Sequence, residues 1–457
     1  MIHRFVKKIF KRKLAPAAQQ EPAIIGVKTH GITRDMLSRG AERVCEDLER
    51  AGYRAYVVGG AVRDLLLNRD PKDFDIATNA TPEQVRRCCR RSRIIGRRFQ
   101  IVHVMVGQEL IEVTTFRALH EDASATDEHG RVLRDNTFGS QSDDAARRDF
   151  TVNALYYDPY DETIHDYHHG YADLKQRTLR MIGEPKLRYR EDPVRMLRAV
   201  RLGAKLGLNL DPATRKPIRE LADLLDNVPP ARLFDEMLKL LTCGDALACL
   251  KRLRDEGLHH GVLPLLDVIL EQPLGERFVE QALTNTDQRI REGKSISPGF
   301  LFAALLWHEV LAYWNKRKAK GEIAIPALFA AMDDALDRQA EKLAITKRLV
   351  GDIKEIWSLQ PRFEQRSGKR PYALLGHPRF RAGYDFMLLR AETGEIDREL
   401  GVWWTKFHES DTAVQEALIA GAPKDSTPTK KRRRRSPQRR RSQTDSGSPP
   451  DNANQAE

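Results

Sequence analysis

Strand-type sequence is confined to the first third of this 457-residue chain, and that restricts the folds open to it. Between about residues 31 and 160, short β-type runs alternate with helical stretches: YRAYVV at 53–58, FDIAT at 74–78, QIVHVMV at 100–106, LIEVTTF at 110–116 and ALYYD at 154–158. This is an α/β pattern. Beyond about residue 170 the apolar period becomes 3.6, as in Val194 to Leu206 and Ala231 to Leu241, with Gly207, Pro229, Pro230 and Gly244 as punctuation. The C-terminal two-thirds is expected to be helical. No internal repeat suggests a solenoid.

The formal charge of +12 is not spread over the chain. Residues 1–14 hold six basic and no acidic side chains, residues 423–457 hold ten against four, and everything between carries 61 of each sign. A generally basic core is excluded. The first segment, MIHRFVKKIFKRKL, reads as a basic amphipathic leader able to meet an anionic surface. The last is rich in Arg, Ser and Pro with almost nothing apolar to bury, so it is expected to be disordered and to hold RNA phosphates without sequence preference. Cys45, Cys88, Cys89, Cys243 and Cys249 form no C-x-x-C pair or zinc spacing, which fits a reducing compartment. No apolar run is long enough to span a bilayer, so a soluble, cytoplasmic protein is expected.

Chemistry concentrates in three clusters. In YVVGGAVRDLLL (56–67) a strand meets Gly59-Gly60 and turns into a helix carrying Arg63. Glycines let backbone N–H groups approach a phosphate, and Arg63 adds a full positive charge. In PKDFDIAT (71–78), Asp73 and Asp75 lie two apart on a predicted strand, hence on one face. Two carboxylates aimed at one spot repel unless divalent cations keep both ionised, the arrangement that a two-metal phosphoryl-transfer site requires. Thr81-Pro-Glu-Gln84 immediately after is a capping box.

The second cluster, RRDFTVNA (147–154), offers Arg148, Asp149 and Asn153 to a nucleotide. A third acid would complete a metal site. Asp149 and Glu112, the latter on the apolar run LIEVTTF, both qualify on residue type, and the sequence does not choose between them. The third cluster, RYREDPVRMLRAVR (188–201), predicts a helix opening at Glu191 and Asp192, with Arg195, Arg198 and Arg201 at spacings of three. Asp192 beside Arg195 supplies an acceptor and donors suited to a base edge.

GGAVRDLLL, KDFDIATNATPEQV, RRDFTVNALYYD and EDPVRMLRAVRLGAKLGL, in this order, resemble the class II nucleotidyltransferases of the polymerase-β superfamily, which include CCA-adding enzymes and bacterial poly(A) polymerases. The resemblance covers about residues 50–240. It implies an α+β chain: a basic N-terminal extension (1–30), a polymerase-β-like head with a small mixed sheet (31–165), a helical neck with the nucleotide-recognition helix (166–240), a helical RNA-binding body (241–422) and the basic tail (423–457). It further implies that Asp73, Asp75 and Asp149 hold two Mg²⁺ ions and that Gly59, Gly60 and Arg63 cradle the triphosphate. Arg148 and Asn153 would hold phosphate and ribose, with Asp192 and Arg195 facing the base.

IIGRRFQIVHV (94–104) and LRDNTFGS (133–140) look like segments of the bacterial poly(A) polymerases. The resemblance therefore favours AMP transfer from ATP to RNA 3′ ends, by a monomer whose partners include RNA-decay proteins. A CCA-adding enzyme and a non-catalytic RNA-binding scaffold remain the alternatives. Seven arginines between Arg86 and Arg98 form a further basic patch for RNA or triphosphate. His165, His168 and His169, the pair His259-His260 and the pair Trp403-Trp404 read as structural.

Overall fold

The computed structural model describes residues 21–96, 100–118 and 137–422. The leader at 1–14, the tail at 423–457, Arg97, Arg98 and residues 133–136 of the segment 133–140 lie outside the described residues.

All five strand runs form. They are β2 (Ala55–Val58), β3 (Asp75–Thr78), β5 (Ile101–Val106), β6 (Glu109–Thr115) and β7 (Leu155–Asp158). Three more strands join them: β1 (Ala23–Gly26), β4 (Ser92–Ile95) and β8 (Thr163–Asp166). The order across the sheet is β1-β8-β7-β2-β3-β6-β5-β4, with β3 and β6 parallel and every other pair antiparallel. β1 falls within the stretch 1–30 that was read as a basic extension. It belongs to the sheet because its backbone satisfies the open edge of β8.

The two sheet faces differ. Val57, Ile76, Val102, Val104, Ile111 and Val113 point to one side and are buried with Ala41, Val44 and Leu48 of helix α1 (Arg39–Arg50). Ser38 caps that helix, its hydroxyl accepting from the Ala41 amide at 3.1 Å. The period of two sends Tyr56, Val58, Ala77 and Tyr156 to the other side, where they pack with Phe116 and Tyr167. Asp75 shares this second face with Ala77. Helix α2 (Gly60–Leu66) follows β2, and α3 (Pro82–Cys88) follows β3, opened by the expected Thr81–Gln84 capping box.

From residue 185 onward the structure is helical apart from one short strand. Helices α4 (Gln141–Arg147), α5 (Pro185–Glu191), α6 (Val194–Leu206), α7 (Pro230–Leu241) and α8 (Ala246–Asp255) surround the site. β9 (Thr178–Leu179) and β10 (Asn209–Leu210) form a two-residue parallel pair that the helical expectation missed, too short to leave a periodic signal. The longest apolar core runs from α6 through the long helices Gly275–Arg291, Pro298–Ala319, Ala324–Ala340 and Lys347–Phe363. Trp357 is buried there, donating to the Ala303 carbonyl at 3.0 Å. Trp404 likewise donates to the Phe363 carbonyl at 2.8 Å, and Trp403 stacks on Phe407, so both tryptophans pack as expected. Among the described residues no helix is long and apolar enough to cross a membrane.

One close approach supports the site from behind. Asp166 accepts from the His168, Gly170 and Tyr171 amides, which presses Gly170 against the backbone that follows Asp149. A Cβ on Gly170 would sit 2.1 Å from the Thr151 carbonyl oxygen. Gly170→Ala is therefore expected to destabilise the fold by about 1–3 kcal/mol. Urea unfolding measures this, and a midpoint equal to that of the unaltered protein would show that the 149–153 backbone yields freely.

Candidate active site

A cleft of about 380 Å³ opens between the second sheet face and α6. It is lined by Gly59, Gly60, Arg63, Asp75, Arg148, Asp149, Asn153, Asp192 and Arg195, nine of the ten positions singled out from the sequence, with Arg147, Arg198, Arg201 and Leu202. Asp73 is the tenth. It lies in the loop two residues before β3 begins, exposed and close enough to Asp75 to perturb its titration.

The glycine turn has a steric cause. Gly59 has φ of +71° and ψ of −123°, a conformation that side-chain-bearing residues avoid, and a Cβ there would meet the Arg148 guanidinium at 3.1 Å. The chain thus brings backbone and Arg148 to one point. Arg63, only 6% exposed, donates to the Asn153 side-chain oxygen at 2.6 Å and to Asp64 at 2.8 Å. Asn153 in turn donates to Asp149 at 3.0 Å, which ties the two motifs together.

Arg148 is fixed by groups that the sequence reading did not single out. Its Nε donates to the Tyr156 hydroxyl at 3.0 Å and its Nη2 to Asp144 at 3.3 Å, while the tyrosine hydroxyl also donates to Asp144 at 2.6 Å. Burial opposes charge on Arg148, yet Tyr156 and Asp144 hold its pKa above the ordinary arginine value. The i,i+4 spacing of Asp144 and Arg148 was the one signal available in sequence. Tyr156, fully buried on β7, gave none.

The acidic groups separate into two environments. Burial, then Asp73 and then Glu112 push the Asp75 carboxyl up to about 6, outweighing the opposing effect of Arg148. Glu112 lies in register with Asp75 on the parallel neighbour β6, so both side chains project from the same face, and the His103 ring sits 3.3 Å from Glu112. Asp149 is engaged elsewhere. One carboxylate oxygen accepts from the Phe150 amide at 2.8 Å and from Asn153, and the other lies 2.6 Å from the Arg198 guanidinium. Burial alone would raise the Asp149 pKa, but Arg198, Asn153 and the Phe150 amide bring it below the usual carboxylate range.

Asp192 departs from its expected setting. The structure breaks the helix there: α5 ends at Glu191, Asp192 is extended (φ −150°, ψ 92°) and α6 starts at Val194. Pro193 disfavours helical backbone in the residue before it. Asp192 pairs with Arg232 of α7 at 2.6 Å, and Arg195 turns to Glu191 at 2.9 Å and to the Arg188 carbonyl at 2.7 Å. Both Asp192 and Arg195 still face the cleft, without touching one another through side chains.

The basic wall is crowded. Burial, followed by Arg117, Arg188 and Arg195, lowers Arg147 to about 10, and burial followed by Arg195 lowers Arg188. Arg201 is also lowered, chiefly by burial. Polyanion on this side and cations beside Asp75 would each relieve an unfavourable charge. Asp73 and Glu112 lie close enough to Asp75 to raise its pKa, and all three are hard oxygen donors of the type that suits Mg²⁺.

Arg86, Arg87, Arg90, Arg91 and Arg93 are exposed and do not line the cleft. His165 lies 3.4 Å from Gln141, and burial lowers the pKa of both His165 and His168. Among the described residues the one His/Cys/Asp/Glu group with metal-like spacing is His259, His260 and Asp267, read from sequence as a loop; Arg254 also binds Asp267, at 3.2 Å.

Three family models match the chain: Poly A polymerase head domain over residues 55–180, Probable RNA and SrmB-binding site of polymerase A over 207–270, and Polymerase A arginine-rich C-terminus over 320–441. Poly(A) polymerase I of Salmonella typhimurium is 44% identical over 448 residues, covering 94% of this chain and 96% of its own. A CCA-adding enzyme of Lactobacillus helveticus is 39% identical over 197 residues, covering 43% of this chain and 48% of its own. Among solved structures, the Bacillus stearothermophilus CCA-adding enzyme in complex with CTP superposes with a TM-score of 0.53 at 28% identity, over 84% of this chain and 82% of that one. Likeness to the CCA-adding sequence stops short of half the chain, whereas the other likeness runs nearly end to end, and the chain belongs to the poly(A) polymerase I family.

Proposed function

We propose that this protein adds AMP from ATP to RNA 3′ ends without a template, releasing pyrophosphate. The observation that carries the reading is the near full-length similarity to Poly(A) polymerase I. In the reaction the RNA 3′-oxygen bonds to the α-phosphorus of ATP as the bond from that phosphorus to pyrophosphate breaks, and the hydroxyl proton is lost to solvent. The free pyrophosphate leaves.

In this reading Asp73, Asp75 and Glu112 are the cation-holding carboxylates. Bound Mg²⁺ supplies positive charge at the attacking and leaving oxygens. Glu112 is preferred to Asp149 as the third acid because it stands beside Asp75 on the sheet, while both Asp149 oxygens are already committed. Asp149 then acts by holding Arg198 and Asn153 in the cleft wall. The Gly59-Gly60 backbone with Arg63, Arg148 and Asn153 receives the triphosphate and ribose. Arg195 and Asp192 present donors and an acceptor to the base. RNA runs over exposed arginines such as Arg86 and Arg90, and the enzyme works in the cytoplasm alongside RNA-decay proteins.

Incubating the protein with Mg²⁺, a short RNA and each nucleotide in turn tests the activity. A ladder with ATP alone is expected. Addition of two C and one A to truncated tRNA would instead favour a CCA-adding enzyme, and binding without extension a scaffold. Asp192→Ala is expected to reduce the preference for ATP over CTP and UTP by about tenfold or more, since a base acceptor is lost. Competition assays at equal nucleotide concentrations read this directly; unchanged discrimination would remove Asp192 from the base site. Glu112→Gln is expected to raise the Mg²⁺ concentration needed for half-maximal rate, whereas Asp149→Asn is expected chiefly to lower thermal stability. The reverse pattern would return Asp149 to the metal site.

A further inference from the structure

Behind the cleft, two cysteines that the proposed reaction does not use face one another. Cys243 follows the end of α7 and Cys249 lies in α8, and their sulfurs are 3.5 Å apart. Cys249 is fully buried and Cys243 half-buried, so solvent reaches the pair from the Cys243 side. The hydrogen bond from Cys249 lowers the pKa of Cys243 and, with burial, raises its own. Ionisation of the partly exposed Cys243 is thereby favoured over that of Cys249.

The turn between them is anchored on both sides of the sulfurs. Asp287 accepts from the Ala246 amide at 2.7 Å and Arg291 donates to the Gly244 carbonyl at 3.1 Å. Gly244, with φ of +91°, allows the reversal that brings Cys243 back over α8. A disulfide requires sulfurs about 2.05 Å apart, so closure moves them together by roughly 1.5 Å.

That movement bears on the cleft. The Cys249 thiol lies 3.8 Å from the carbonyl oxygen of Arg201, and Arg201 lines the nucleotide cleft from α6. Glu236 of α7, the helix that leads to Cys243, is 3.8 Å from the Arg201 guanidinium. Cys249 thus meets the Arg201 backbone directly, and α7, which leads to Cys243, reaches the Arg201 side chain through Glu236.

We propose that Cys243 and Cys249 form a redox site, converted by hydroperoxides to an internal disulfide that displaces Arg201 and weakens nucleotide binding. The Cys243 thiolate, its proton released to solvent, attacks the peroxide, forming an S–O bond as the O–O bond breaks; for hydrogen peroxide the departing hydroxide takes up a proton from solvent and leaves as water. Cys249 gives up its proton and attacks that sulfur, forming the S–S bond and expelling a second water. Two thiols are oxidised by two electrons and one peroxide is reduced. A dithiol reverses the change.

The thiol chemistry stands without the polyadenylation reading; the effect on the cleft rests on it, because it presumes that ATP enters there. Full-length protein is treated with hydrogen peroxide, free thiols are alkylated, and the peptides are mapped by mass spectrometry. A linked Cys243–Cys249 pair lighter by two hydrogens, restored by dithiothreitol and missing in Cys243→Ser, is expected. Sulfinic acid at Cys243 with Cys249 still alkylatable would overturn the site. Calorimetric titration with Mg·ATP of reduced and oxidised protein is expected to show affinity falling by about fivefold on oxidation, at the lower end of coupling between linked sites. No change in affinity upon complete disulfide formation would overturn the link to Arg201. Failure of the reduced protein to bind ATP would instead remove the nucleotide from this cleft, and the link with it.

Discussion

The ion pair between Asp149 and Arg198 joins the two parts of this molecule that make the cleft. A carboxylate buried against β7 and its neighbours is tolerable only if paired, and its partner comes from α6, about fifty residues on. Asn153 and the Phe150 amide take its remaining lone pairs. Asp149 is 9% exposed and Arg198 38%, so losing Arg198 would leave a buried carboxylate uncompensated, whereas losing Asp149 would leave a guanidinium that solvent partly screens. The pair therefore sets where α6 lies over the sheet, and with it where Arg195 and Arg201 meet Gly59 and Asp75.

Around this link the site is divided by charge. Asp75 lines the sheet side of the cleft, with Asp73 and Glu112 near enough to raise its pKa, and Arg147 at the end of α4 with Arg195, Arg198 and Arg201 of α6 lines the other side. Neither half is electrostatically content: burial and its acidic neighbours drive Asp75 toward the protonated form, and burial with other cations pushes Arg147 and Arg188 down. The proposed substrate, a nucleotide carrying divalent cations, would bring both missing charges at once. Main-chain carbonyls help meanwhile, as those of Arg147 and Arg148 both accept from Arg188.

The parts of this arrangement legible in sequence are those set by local rules. Alternation of period two marks β2, β3, β5, β6 and β7, because each buries at least one face on α1 or the tyrosine cluster. β1 and β4 escaped because edge strands bury less and carry weaker patterns, and β8, although inside the sheet, is a four-residue run in which Ile164 is the one buried apolar residue. The glycine turn, the capping box at Thr81 and α6 from Val194 to Leu206 follow from short-range sterics and periodicity. The setting of Asp192 did not: spacing suggested a partner three residues away on the same helix, but Pro193 breaks the helix and a long-range guanidinium, Arg232, takes the carboxylate.

The sequence by itself determined the fold class, the helical character of the later two-thirds and nine cleft residues, since backbone preference and side-chain type are written residue by residue. The tertiary structure decided what each charged group does. Asp149 and Glu112 are both acids near apolar runs, and only strand register and a neighbouring helix reveal that one faces Asp75 and the other Arg198. Cys243 and Cys249 carry no recognised spacing, yet a turn at Gly244 brings their sulfurs together. Electrostatic and thiol chemistry depend on distances in space, which periodicity along the chain does not encode.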